Sequence, residues 1–286
     1  MKLVFIHGRA QEGKDQAALR ATWETAFERG LSNAGLARPA GLEIAFPYYG
    51  DRLDELVNQL DTPLIADVTE RGAQQDEDEA EFRGEFLEEL AEHAKVTDDE
   101  IREFFGDDVR GRGVRNWGWV HATLKALDRS QKFGTLALDT FTRDVYLYLT
   151  KRVVQRHIDS IVAPHITGDP CVVVAHSLGS VVGYNVLRDA SHQVVRYVTV
   201  GSPLGVNAVK NRLKPPLGMP SRTASWFNAM DDGDVVALYP LDDDNFPTSP
   251  PIVNKTDVDN ETDNQHGIVG YLPDPGVARA IHEALT

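Results

Sequence analysis

A chain of 286 residues is long enough for one large α/β domain or two small ones, and 42% hydrophobic with 26% charged residues is ordinary for a soluble globular protein. Its formal net charge of −15 disfavours nucleic acid as a ligand, which needs clustered Lys and Arg, and disfavours stable docking on anionic membranes. No apolar run reaches the roughly 20 residues that span a bilayer, and the single cysteine, Cys171, excludes an internal disulfide and fits a reducing, cytoplasmic compartment.

The chain opens on Lys2-Leu3-Val4-Phe5-Ile6-His7-Gly8, a short continuous apolar run closed by a turn residue. Such runs suit strands buried on both faces of a parallel sheet, and this one is too short for a signal peptide. From about Asp15, Leu19, Trp23 and Phe27 recur every four residues, which predicts a helix with Gly30 as its C-cap. Residues 42–46 read as the next strand, ended by Pro47. Strand, helix, strand in that order predicts a doubly wound, mostly parallel α/β sheet.

Residues from about 51 to 135 break the rhythm. Between Asp76 and Glu100 twelve of 25 positions are acidic, yet Phe82, Phe86, Leu87, Leu90, Ile101, Phe104 and Phe105 keep amphipathic spacing. This predicts an acidic helical insertion within a single domain spanning 1–286. Trp117, Trp119, Phe104 and Phe105 would either form its core or line a ligand pocket, the former being preferred. A helix over about 140–162, with Val145, Leu149 and Val153 on one face, leads back to the sheet. Strands follow at 171–175, 194–200, 223–228 and, more weakly, 251–255, with a helix over 178–189 between the first two. The last helix starts at Asp274 as N-cap with Pro275 at its first position, and Val277, Ile281 and Leu285 form its stripe.

Ala175-His176-Ser177-Leu178-Gly179 lies between an apolar strand and an apolar helix. A serine at the tip of a strand-to-helix turn needs small residues two positions away on each side, and Ala175 and Gly179 supply them. The helix starting at Leu178 turns its N-terminal amides toward the serine, which favours negative charge developing there. His176 is adjacent in sequence to Ser177 and is read as supporting structure.

On these residues the sequence resembles the α/β-hydrolase superfamily, and within it the lipase and esterase branch with A-H-S-x-G elbows. The resemblance covers the first ~50 residues and the chain from Thr140 onward. It implies an α/β-hydrolase fold with the insertion as a cap, a nucleophile at Ser177, and triad partners following in the order acid, then histidine. Three histidines follow Ser177: His192, His266 and His282. His192 leaves no room for an intervening acid, and His282 falls inside the terminal helix. His266, in the loop before that helix, occupies the place the resemblance assigns to the base. Asp234 is the preferred acid, with Asp232, Asp231 or a later aspartate as alternatives.

The backbone N–H of Leu178 would form half of an oxyanion hole. His7-Gly8-Arg9 resembles the H-G-x turn of many esterases, which assigns the other half to the Arg9 N–H. The Arg9 side chain is a further candidate for contact with an anionic part of the substrate. Gly201 to Gly205 resembles a loop that borders the site, and Asp257 to Asp263 reads as a solvated acidic loop rather than a calcium site. The expectation is therefore a serine hydrolase cleaving an ester or thioester, acting on a small-molecule or acyl-ester substrate without metal or organic cofactor. The alternatives are a thioesterase, amidase or acyltransferase on the same residues, and a non-catalytic binding or signalling module. The sequence is silent on oligomeric state.

Overall fold

The computed structural model describes residues 1–60, 77–105, 117–130, 135–166, 168–189, 193–262 and 265–286. Six strands form one all-parallel sheet: β1 (Lys2–Ile6), β2 (Glu43–Ala45), β3 (Cys171–His176), β4 (Val194–Val200), β5 (Trp226–Ala229) and β6 (Val253–Lys255). The α-helices among the described residues are α1 (Gln16–Asn33), α2 (Gly50–Gln59), α3 (Glu77–His93), α4 (Asp98–Phe105), α5 (Trp117–Ser130) and α6 (Thr135–Thr150). They continue with α7 (Arg152–Ile166), α8 (Leu178–Asp189), α9 (Asn207–Lys210), α10 (Ile268–Tyr271) and α11 (Pro275–Leu285). This is an α/β architecture, as the alternation of elements predicts. The chain divides into a unit of Met1–Asp54, Gln155–Gly205 and Leu213–Thr286, which carries the sheet, and a helical unit of Glu55–Val154 and Val206–Arg212.

In the sheet unit the strand order is β2-β1-β3-β4-β5-β6. The chain steps from β1 outward to β2, then crosses back to place β3 on the other side of β1. Connections leaving the carboxyl ends of β1 and β3 therefore diverge, and the crevice between them is where doubly wound sheets bind ligands. Side chains alternate along each strand, so Leu3, Phe5, Val172, Val174, Val198 and Val200 share one face. There they pack with Trp23 and Phe27 of α1 and with Val277 and Ile281 of α11. Tyr197 points to the opposite face and donates its hydroxyl to the Ser180 carbonyl of α8 at 2.6 Å.

The local signals explain most helix starts. Asp15 accepts from Ala18 N at 2.7 Å, and Asp274 accepts from Gly276 N and Val277 N at 2.7 and 2.9 Å, with Pro275 in the first turn. Three expectations are corrected. Gly30 is not a C-cap: α1 runs on to Asn33, and Gly35 takes the positive φ of 69°. Glycine is required at this buried position instead because a Cβ there would collide with the Leu272 carbonyl. The single helix expected over 140–162 is two, α6 and α7, interrupted at Lys151. The buried stripe of α7 is Val154, Ile158 and Val162, one position out of phase with the stripe continued from Val145, so Val153 is 40% exposed. The strand expected from Thr223 is ordered from Trp226, and Thr223 makes only an isolated bridge to Val194.

In the helical unit, Phe82, Phe86, Leu87 and Leu90 of α3 are buried, as are Val120, Leu124 and Leu127 of α5 and Phe141, Val145 and Tyr146 of α6. Phe82 meets Tyr146 with ring centroids 5.6 Å apart, and Phe86 meets Phe141 at 5.7 Å. Trp117 and Trp119 are buried here as core residues, whereas Phe104 is 38% exposed beneath the Arg129 guanidinium. The start of α4 is a capping box: Thr97 N donates to Glu100 and Glu100 N to Thr97 Oγ1. No helix among the described residues is long and apolar enough to cross a membrane.

Candidate active site

Strand β3 ends on His176, and Ser177 turns the chain into α8 with φ of 56°, a left-handed conformation that a non-glycine residue holds only where its surroundings enforce it. The enforcement is visible in the packing. A Cβ on Gly179 would collide with the carbonyls of Ile6 and His7, and one on Gly8 would lie 2.8 Å from Ser177 Cβ. The end of β1 thus presses directly against the serine, which requires both glycines. Ser177 N donates to Val200 O at 3.2 Å, and Ser180 Oγ donates back to Ser177 O at 2.6 Å.

Ser177 is 2% exposed, and its hydroxyl lies 2.8 Å from His266 Nε2. On the other edge of the imidazole, Nδ1 lies 2.8 Å from Asp234 Oδ2. A carboxylate only accepts, so Nδ1 carries the proton and Nε2 is left to accept from the serine hydroxyl. Of the three acids the sequence offers in this stretch, Asp234 is the one hydrogen-bonded to the imidazole. Asp231 is buried but accepts from Gly233 N and Asn260 N, both at 2.7 Å, and Asp232 is exposed. His282 sits half-buried in α11, and His192, Asp263 and Asn264 lie outside the described residues.

Asp234 is fully buried, which opposes its ionisation. The charge and N–H of His266, the Tyr271 hydroxyl and the Val236 amide outweigh that, and hold the carboxyl below its usual range. Its second oxygen, Oδ1, accepts from Val236 N at 2.8 Å and Ala237 N at 3.4 Å. Gly201, at φ of 56°, packs so closely here that a Cβ would lie 3.0 Å from Asp234 Oδ2 and 3.1 Å from His266 Nδ1. The Gly201–Gly205 loop therefore borders the site, as its resemblance implies. Its Ser202 hydroxyl lies 2.7 Å from that of Ser180.

Two further histidines frame the line of three. His176 Nε2 lies 2.6 Å from the His266 carbonyl, so that nitrogen is the donor, and the two rings are tilted by 36° with centroids 4.6 Å apart. Burial, with the neighbouring His266 charge, pushes its pKa down to about 3 and keeps it neutral. His7 donates from Nδ1 to the Gly8 carbonyl at 2.7 Å and accepts the Tyr49 N–H on Nε2 at 3.1 Å. Burial pushes its pKa down to about 4. His7 thereby fixes the Gly8–Arg9 turn beside Ser177, while Tyr49 closes the other side by donating to the His7 carbonyl.

Leu178 is buried, and as the first residue of α8 its N–H is among those with no intrahelical acceptor. Arg9 follows Gly8, half-buried, with its carbonyl accepting from Gln11. Tyr271 and Asn260, missed by sequence reasoning, complete the site. Tyr271 donates to Asp234 Oδ2 at 2.6 Å, and Asn260 Nδ2 donates to the Gly267 carbonyl at 3.0 Å. Only the burial-prone type of Tyr271 and its place at the end of a short apolar segment hinted at a role. Among the described residues no group of three or more His, Cys, Asp or Glu is placed to hold a metal ion. Comparison of the sequence with models of known protein families and with curated proteins finds no match.

Proposed function

We propose that this chain is a serine hydrolase of the α/β-hydrolase type, cleaving a carboxylic ester or thioester through an acyl-enzyme on Ser177. The observation that carries this reading is the hydrogen-bonded line from Ser177 Oγ through His266 to Asp234 Oδ2, each link 2.8 Å. A positive-φ serine at the mouth of a topological switch is not needed for folding, and the left-handed backbone costs on the order of 1 kcal/mol or more. The close approach of Gly8 and Gly179 around it is what a nucleophile requires, since the hydroxyl must stand clear of both strand and helix.

In the first half-reaction Ser177 Oγ attacks the acyl carbon while His266 Nε2 takes its proton. Asp234 holds the Nδ1–H tautomer and stabilises the imidazolium. The tetrahedral oxyanion rests on the N–H groups of Leu178 and Arg9. Collapse expels the alcohol or thiol, which leaves with the proton from His266. Water, deprotonated by the same nitrogen, then attacks the acyl-enzyme and returns Ser177 free with a carboxylic acid product. All these steps are carried by groups of the sheet unit. The net charge of −15 disfavours polyanionic substrates.

The test is intact-mass analysis after treatment with a fluorophosphonate. One adduct on the parent protein and none on Ser177→Ala is the expected result. Absence of an adduct on folded parent protein would overturn the reading in favour of a non-catalytic module.

A further inference from the structure

The carboxylate of Asp234 is held by more donors than orientation of His266 requires, and one of them is a side chain. The Tyr271 ring is fully buried, and its hydroxyl accepts the Asp231 N–H at 3.2 Å while donating to Asp234 Oδ2 at 2.6 Å. Oδ2 is the same oxygen that accepts from His266 Nδ1 at 2.8 Å. Tyr271 ends α10, five residues beyond His266, whereas Asp231 and Asp234 lie in the loop after β5. One hydroxyl therefore ties the loop of the acid to the loop of the base.

The geometry points to Tyr271 as a positioning residue that sets the pH at which His266 becomes a base, by withdrawing charge from the oxygen that faces it. This inference rests on reading Ser177, His266 and Asp234 as the catalytic line. The physical reason is competition for one oxygen. A carboxylate that accepts a short O–H bond offers less negative charge to an imidazolium, so the imidazole loses its proton at lower pH. The direction of donation is secure, because burial and the Asp234 charge hold the Tyr271 phenol far above its ordinary range and thus protonated.

His176, Asp231 and the amides on Oδ1 act elsewhere on this pair. His176, from the end of β3, is neutral and binds the His266 carbonyl rather than its ring nitrogens. The Asp231 carboxylate turns away to Gly233 N and Asn260 N. The Val236 and Ala237 amides bind Oδ1, the oxygen remote from His266.

The experiment is an NMR titration of the His266 ring nitrogens, assigned by His266→Gln, in the parent protein, in Tyr271→Phe and in Tyr271→3-fluorotyrosine. Removing the hydroxyl is expected to raise the His266 midpoint by about half a pH unit. The fluorinated phenol, a stronger donor, is expected to lower it, and a purely structural role does not produce shifts of opposite sign. Should Tyr271→Phe fail to fold, the fluorinated protein decides alone. Coincident midpoints in the folded variants overturn the proposal. Fluorophosphonate labelling rates measured across the same pH range separate this from the hydrolase reading. A midpoint shift without any labelling of Ser177 would leave the role of Tyr271 toward Asp234 standing and remove the catalysis.

Discussion

Two regions of this molecule bury charge, and they do it differently. In the helical unit the Arg83 side chain is wholly buried between Glu79, one turn earlier at 2.9 Å, and Asp139 of α6 at 3.0 Å, with the guanidinium over the Trp117 ring. The Arg83 Nε–H and the Trp117 indole N–H find no hydrogen-bond partner among the described residues. In the sheet unit, by contrast, the Asp234 carboxylate accepts from His266, Tyr271, Val236 and Ala237, and the chain of bonds ends on the Ser177 hydroxyl. The first cluster pairs opposite charges with each other, and the second aims a charge at a hydroxyl. A buried ion pair with unmet donors is a weak source of stability, whereas a fully donated carboxylate holds one geometry against alternatives.

The two clusters differ most in what a single substitution does to them, and Asp234 is the most sensitive position. Asp234→Asn keeps the shape of the group but favours the wrong imidazole tautomer, and ester hydrolysis is expected to fall by about 10⁴-fold with little change in the unfolding midpoint. Equal activity in the variant would show that the aimed charge has no chemical use. Next in size is Arg83→Ala, which strands Glu79 and Asp139 in the core and is expected to cost about 3–5 kcal/mol in urea unfolding. Replacing all three with apolar residues, as Glu79→Leu, Arg83→Met and Asp139→Leu together, is expected to be neutral or stabilising. If the triple variant is as unstable as Arg83→Ala, the helical cluster specifies packing and the contrast collapses.

His7 is neutral in the fold with a pKa of about 4, below the ordinary value of 6.5 that the unfolded chain shows. Between those values the unfolded chain binds more protons, so stability falls as pH drops through this window. The loss attributable to His7 is on the order of 3 kcal/mol. The difference between parent and His7→Asn denaturant midpoints across the window measures it, and the variant's slope is expected to be shallower, with the part due to His176 remaining. The smallest effect belongs to Asp232→Asn. That residue is exposed two positions from the acid, and no change in activity beyond about twofold is expected in the same ester assay. A large loss there would mean that the acid was misassigned.

Several features were legible before any tertiary structure. The run Lys2–Gly8, the strand–turn–helix around Ser177 and the Asp274-Pro275 start of α11 are local, and local sterics with hydrophobic period decide them. The order of Ser177, Asp234 and His266 also followed from sequence with the family resemblance. The break at Lys151 was not legible, because Val145, Leu149 and Val153 continue a perfect stripe; the demand to bury Val154, Ile158 and Val162 instead overrode it. Gly30 was misread for the same reason: a glycine that ends helices elsewhere is required here by a carbonyl of a residue 242 positions later.

The parallel α/β alternation, the strained serine turn and the short menu of acids and bases around it follow from the amino-acid order alone. Long-range packing set the Asp234 carboxylate, the acid the sequence already favoured, against His266, brought Tyr271 and Asn260 beside them, and turned His176 toward the His266 backbone. The physical reason is range. Turns, caps and amphipathic stripes are set by neighbours within a few residues, whereas a hydrogen bond at 2.6–2.8 Å between loops joins groups whose separation along the chain leaves no periodic trace.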